Sequence, residues 1–221
     1  MNLYLGSVIS RFWPLFLEGI GVTLLFSAIS VLGGVLFGTL LSLARRSRIA
    51  PLRWIATAYV EVVRGTPLLV QLYFFYYMIP LMLEGFTIPD NVSIGLALVL
   101  NSAAYVSEII RSGIQAVDHG QVEAARSLGM SSALTMRKIV LPQAIKNILP
   151  ALANEFIMVV KESSLASTFF LGDLMTQVNI ISSTTFNYLG PLVLAALIYF
   201  VLTFTLSKLV AMYERKLRQS D

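Results

Sequence analysis

Three long stretches of the chain carry no charged residue at all: 19–44, 65–83 and 174–207. A helix needs about 20 consecutive apolar residues to cross a bilayer, so each stretch is long enough. Read with their flanks, the apolar runs predict spans near 17–44, 55–82, 92–111, 144–168 and 187–211. The expected fold is therefore all-α and polytopic, with five transmembrane helices in one domain over 1–221. The moderately apolar stretch 163–186 is read as a loop, holding a short helix that lies along the surface or is partly re-entrant. No internal repeat emerges when the first two spans are set beside the last two.

Composition supports this reading. Of the 221 residues, 57% are hydrophobic and 13% charged, against roughly 45–50% and about 25% in soluble domains, which excludes a water-soluble globule. There is no cysteine, and the one histidine, His119, stands beside Gly120. Disulfides, thiolate metal sites and zinc clusters are thereby excluded, and no cofactor is expected. The first ten residues carry no basic side chain and the first apolar run is too long for a signal-peptide core, so that run is expected to be retained as a span.

Charge distinguishes the two sides. Arg45, Arg46, Arg48 and Arg53 follow the first span without an acid, whereas Glu84 and Asp90 follow the second without a base. Arg111, Arg126, Arg137, Lys138 and Lys146 lie around the third loop, and Lys208, Arg215, Lys216 and Arg218 close the chain. Basic loops stay on the cytoplasmic side, so the N-terminus is expected outside and the C-terminus inside. A sixth span at 163–186 would place a basic segment outside and Asp173 in mid-membrane. The net charge of +4 follows from orientation, and no nucleic acid partner is expected.

The cytoplasmic loop near 112–143 is too long for a simple connection. Asp118 with Gln121 three residues later predicts a capping box, opening a helix with Val122, Ala125 and Leu128 on one face and a stop at Gly129. Ser131 or Ser132 can cap a second helix leading to Leu141-Pro142. Such a hairpin suits docking to a cytoplasmic partner; an amphipathic hairpin resting on lipid headgroups has the same properties.

At this loop the sequence resembles a known family. Glu123-Ala124-Ala125, three residues, Gly129, nine residues, Ile139, one residue and Leu141-Pro142 match the EAA signature of permease subunits of bacterial ATP-binding-cassette importers at every fixed position. Glu61-Val62-Val63-Arg64-Gly65-Thr66-Pro67-Leu68-Leu69-Val70-Gln71 is similar to the second-span motif of the polar amino acid subfamily, as are Asn101-Ser102-Ala103-Ala104-Tyr105 and Lys161-Glu162-Ser163-Ser164-Leu165. The resemblance covers about residues 15–215. It implies that Glu123, Ala124, Ala125, Leu128, Gly129 and Met130 form a coupling helix seated on an ATPase subunit. It further implies a solute-binding protein, a second permease subunit (the same chain or a paralogue) and a polar amino acid substrate. The chain has no Gly-x4-Gly-Lys-Ser/Thr phosphate loop, so hydrolysis is expected on another polypeptide.

Polar residues within spans mark the expected pathway, because they are costly in lipid and face a cavity or a partner. Asn101, Tyr105 and Glu108 fall at i, i+4 and i+7 and share one helical face, which Ser112 extends. Asn154, Glu155, Lys161, Glu162 and Ser163 interrupt the fourth span. Thr66 and Gln71 flank Pro67, where a kink or break is expected. A cavity lined by both signs can hold the ammonium and carboxylate of an amino acid. Structural pairs, Glu61 with Arg64 and Lys161 with Glu155 or Glu162, are the competing reading. The aromatic run Tyr73, Phe74, Phe75, Tyr76, Tyr77 is expected to form an interfacial belt. Gly33, Gly34 and Gly38 permit close helix packing, within the chain or across a dimer. An opine or osmolyte permease shares this architecture; an ion-coupled transporter relaying charge through Glu108, Glu155 or Glu162 is a more distant rival.

Overall fold

The structure is a computed structural model that describes residues 2–82 and 88–218, with side chains described for 10–82 and 88–216. Glu84, used above for orientation, lies outside the described residues. In chain order the helices are α1 (Asn2–Arg45), α2 (Ala50–Gly65), α3 (Leu68–Tyr73), α4 (Ile79–Met82), α5 (Asp90–Gln115), α6 (His119–Ser127), α7 (Ser132–Thr135), α8 (Leu141–Glu162), α9 (Leu174–Thr185) and α10 (Leu189–Arg218). Single π-helical turns join α3 to α4 and α7 to α8, and a 3-10 segment, Ser163–Phe169, follows α8. No strand occurs among the described residues.

The long helices sort small and polar residues inward and large apolar ones outward, the inverse of a soluble bundle. On α1 the buried positions are Phe16, Gly19, Thr23, Ser27, Ser30, Gly34, Gly38 and Ser42, a stripe at three- and four-residue spacing. Leu25, Leu32, Leu36, Leu40 and Leu43 are exposed. With hydrocarbon outside there is no penalty for displaying leucine, so close backbone approach decides the packed face. The facing surface belongs to α5, whose Val99, Ser102, Ala103 and Val106 meet the α1 glycines. A Cβ at Gly34 would stand 2.6 Å from Ser102 Oγ, and one at Gly38 would stand 2.7 Å from the Ala103 carbonyl oxygen. The three glycines therefore serve packing within the chain.

Three helices, α1, α5 and α10, are long and apolar enough to cross a membrane, or four if the bent pair α2 and 68–82 counts as one span. The second predicted span is thus not one rod: its halves meet at 111°. Thr66 is extended (φ −119°, ψ 146°) and Pro67 follows at φ −62°, ψ 137°, as the restriction on residues before proline requires. The fourth predicted span corresponds to α8, which is 22 residues long, runs through Pro150 without a break and carries enough polar groups to fall outside that apolar set.

The stretch 163–186 holds the expected short helix, which packs into the bundle and does not lie along its surface. Phe170 and Gly172 take left-handed backbone (φ 54° and 90°) and turn the chain into α9, which docks into the bundle. Its Leu174, Val178 and Ile181 form a core cluster with Phe16 of α1 and Ala195 of α10. Asp173, fully buried, caps α9 by accepting from the Met175 backbone N–H at 3.0 Å. That bond, with a second accepted from Thr176 Oγ1, satisfies the buried carboxylate. The aromatic run also has a packed side, with Tyr73, Tyr76 and Tyr77 closing on Phe169 at centroid separations of 5.0, 4.7 and 6.3 Å.

Candidate functional site

The break at Thr66-Pro67 leaves the last carbonyls of α2 without helical partners, and unpaired backbone groups away from water are destabilising. Gln71, half-buried one turn into the next segment, supplies the donor. Its Nε2 donates to the Val63 carbonyl at 2.8 Å and to Thr66 Oγ1 at 3.0 Å. Its Oε1 accepts from Asn101 Nδ2 at 3.0 Å, and Asn101 is buried on α5. One side-chain amide thus stitches both halves of the break to the central helix. Tyr59 adds a second tie, donating to the Leu100 carbonyl at 2.9 Å.

Further along the same face of α5, Glu108 gathers three arginines from three helices. Arg45 at the end of α1 lies 3.0 Å away, Arg64 at the end of α2 lies 3.8 Å away, and Arg111 hydrogen-bonds to it from the next turn of α5. Arg64 also stands over the Tyr105 ring, 5.8 Å from its centroid. The side chains of Arg45 and Glu108 are 15% and 19% exposed. At that burial the carboxylate is held by charge-assisted hydrogen bonds, about twice as strong as neutral ones. The Glu61–Arg64 pair of the competing reading is absent among the described residues; Arg64 lies instead 3.8 Å from Glu108. Ser112 is exposed and bonds its own helix at the Ile109 carbonyl.

The polar residues of α8 are not drawn into one cluster. Glu155 faces α5, where Ser102 Oγ donates to it at 3.2 Å. Ser163 is buried and donates to the Val160 carbonyl. Glu162 is half-buried, whereas Asn154 and Lys161 are exposed. The expected pairing of Lys161 with Glu155 or Glu162 is absent among the described residues. Two participants were not singled out from the sequence: Arg45, which counted only as a basic flank, and Ser102, which sits inside a recognised motif. The stripe on α5 could have indicated Arg45, since a carboxylate there needs a cation from a neighbouring helix.

At the opposite end of the α5 stripe from Asn101, the connection to α8 folds as the predicted hairpin. Asp118 caps α6 by accepting from the Gly120 N–H at 2.7 Å, so the cap is a simple one and not the expected box with Gln121. The C-terminus closes with paired bonds from Gly129 N–H to the Arg126 carbonyl and from Met130 N–H to the Ala125 carbonyl, both near 3.0 Å. This Schellman arrangement requires the left-handed backbone that Gly129 adopts (φ 85°). Ser131, not Ser132, caps α7. Ala125 is buried and Val122 packs on Val117, Val140 and Ala144, so α6 is bonded to the end of α5 and the start of α8 together. Leu128, expected on one face with Val122 and Ala125, leaves that face and is 85% exposed. Glu123, Ala124 and Gly129 are also exposed, and Met130 is half-buried.

Inward-facing polar stripes, a clamped helix break and a basal hairpin with a free face define a polytopic membrane protein built to move helices. The chain belongs to the family of binding-protein-dependent transport system inner membrane components, whose model matches residues 14–219. It is 45% identical over its full length, and that of the relative, to the arginine transport system permease protein ArtQ of Bacillus subtilis (strain 168). It is 43% identical to the putative glutamine transport system permease protein GlnP of Rickettsia bellii (strain RML369-C), over 90% of this chain and 91% of the relative. A crystal structure of an amino acid ABC transporter with histidines superposes with a TM-score of 0.91 at 50% identity, covering 95% of this chain and 97% of that one. An inward-facing structure of the MetNI methionine ABC transporter shares the fold at a TM-score of 0.69 and 20% identity, covering 91% and 97%. The chain is the permease subunit of an ATP-binding-cassette importer, a multi-pass component of the inner membrane that works with a solute-binding protein and with ATPase subunits carrying the hydrolysis.

Proposed function

We propose that the importer carries a polar amino acid, and that the substrate passes beside the Thr66-Pro67 break and the inward faces of α5 and α8. The observation that carries this reading is the convergence of Asn101, Gln71 and Thr66 at a broken helix, continuous with Tyr105 and Glu108 and backed by Glu155. Such a surface offers neutral amides, a carboxylate and guanidinium groups within one stripe, matching a zwitterion that needs both signs. The substrates named for the relatives agree with it. Asn154, Glu162 and Ser163 extend the proposed lining, as does Lys161, which supplies an exposed cation.

Exposed polar groups on the sides of the bundle, Arg64, Thr66, Asn154 and Lys161, are unsuited to lipid. A second permease subunit, the same chain or a paralogue, would cover them and enclose the passage. In the full assembly 1–221 acts as one domain with five crossings, the bent α2 segment and α8 counted among them. The basic loops place the N-terminus outside and the C-terminus in the cytoplasm. The hairpin then lies inside, with Glu123, Ala124, Ala125, Leu128, Gly129 and Met130 as its coupling surface on the ATPase. Closure of the ATPase pair on ATP displaces α6, and its packing on Val117, Val140 and Ala144 passes that displacement to α5 and α8. The permease contributes a difference in affinity between its outward and inward states.

Uptake of radiolabelled arginine and glutamine into vesicles holding the complete importer tests the substrate and the lining together. ATP-dependent, saturable uptake is expected, falling about tenfold or more, equivalent to about 1.4 kcal/mol, in Glu155→Ala and in Lys161→Ala. Unchanged uptake in both variants would overturn the lining, and failure of every polar amino acid to be taken up would overturn the substrate class.

A further inference from the structure

A concavity lined by arginines adjoins the Glu108 end of the proposed pathway. It opens between the end of α1, the start of α2 and the last turn of α5, has a volume of about 650 Å³, and is walled by Arg45, Arg46, Arg53 and Arg111 with Ser42 and Trp54. Arg45 and Arg111 are partly satisfied by Glu108. Arg46 and Arg53 have no carboxylate within ion-pair distance among the described residues. Counting Glu61 as well as Glu108 against the five arginines of this region, Arg64 included, still leaves three positive charges. Arg46 and Arg53 are exposed at this helix end, with Arg45 more covered behind them; guanidinium groups gathered in this way favour an anion that joins them, and their planar forks match phosphate oxygens.

The rim says which phosphate. Trp54, which lines the cavity, is 72% exposed, and Leu43, Ile49, Leu52 and Ile55 of the same α1–α2 connection and its flanks are exposed as well. An amphipathic ring flanked by bare aliphatic side chains is the arrangement found at headgroup level, with acyl chains on the apolar side. Basic pockets between membrane helices hold anionic headgroups by this chemistry.

We propose that this cavity is a binding site for the phosphate headgroup of an anionic phospholipid, held by Arg46 and Arg53 with Arg45 and Arg111 behind them and its glycerol end against Trp54. The lipid supplies the counter-charge that the protein lacks and ties α1, α2 and α5 together where the Glu108 cluster begins. The inference does not depend on which solute is carried or on which side the hairpin faces.

Native mass spectrometry of the purified importer, exchanged into nanodiscs of phosphatidylcholine with a minor share of phosphatidylglycerol and then released, tests it. Selective retention of phosphatidylglycerol on the permease is expected, reduced about tenfold or more in Arg46→Gln with Arg53→Gln and largely kept in Arg46→Lys with Arg53→Lys. Equal retention of phosphatidylcholine, or unchanged phosphatidylglycerol retention in the glutamine variant, would overturn the site. Displacement of the lipid by millimolar inorganic phosphate would overturn the lipid source in favour of a soluble anion. Loss of the ATPase subunits from the glutamine variant, with lipid retention intact, would assign the arginines to that protein interface and overturn the proposal. The lysine variant and unaltered size-exclusion behaviour guard against misfolding as the cause of lost retention.

Discussion

A single amide at Gln71 completes the unpaired end of α2 and holds Asn101 of α5. Replacing Gln71 with leucine keeps bulk while leaving the Val63 carbonyl and the Asn101 amide unpaired, and unsatisfied buried groups are destabilising by about 1–3 kcal/mol each. Uptake by Gln71→Leu and by Asn101→Leu is expected to fall to a similar degree, with the double variant no worse than either. The coupling in that cycle should reach about 0.5–3 kcal/mol; additive losses in transport rate would show that the two residues act independently. The α5 stripe was legible because helical spacing places Asn101, Tyr105 and Glu108 on one face whatever the tertiary fold. The partner of Arg64 was not. Glu61 is the nearer acid along the chain, and only the packing of α2 against α5 brings Arg64 to Glu108. Lys161, weighed between the lining and an ion pair with Glu155 or Glu162, is exposed and within ion-pair distance of neither.

Helices follow from the sequence more fully than their contacts do. The break at Pro67, the Asp118 cap and the stop at Gly129 are local consequences of residue type, and each stands where the chain predicts it. The docking of α9 is a tertiary matter: a twelve-residue, Ser/Thr-rich helix is too short to span and shows no strong apolar face, yet it buries Leu174, Val178 and Ile181 against α1 and α10. The α1 stripe is equally hard to read beforehand, since lipid-facing and protein-facing positions are both free of charge and differ only in side-chain size. Two substitutions test these elements. Gly38→Leu forces side-chain atoms against the Ala103 carbonyl and Val106, and overpacking of this kind costs about 1–3 kcal/mol. Its thermal unfolding in detergent should therefore begin at a lower temperature, whereas an unchanged transition would mean that α1 and α5 are not packed this closely. Gly129→Pro forbids the left-handed backbone and removes the N–H that reaches Arg126. It is expected to abolish substrate-stimulated ATP hydrolysis while the chain still reaches the membrane; normal stimulation would show that the hairpin's closing turn is not needed for coupling.

On the proposed reading, the whole molecule joins a passage to a lever. The polar stripe of α5 runs from Asn101 beside the helix break to the Glu108 cluster, about two turns before Ile114 and the cluster that packs α6, so the break, the ion cluster and the hairpin share one helix. Membership of the transport family was legible in the EAA spacing, because a docking surface constrains consecutive residues. Sidedness and the number of crossings depend on neighbouring subunits and lipid, and charge distribution alone speaks to them. The central claim is that the exposed face of α6 meets the ATPase. With no cysteine in the chain, Leu128→Cys introduces a single thiol at a position that is 85% exposed. In the assembled importer this thiol is predicted to crosslink to the ATPase subunit with a short bifunctional reagent and to be shielded from membrane-impermeant maleimide added outside intact cells. Labelling from outside, or a complete absence of crosslinks to the ATPase in an importer that still transports, would contradict the account.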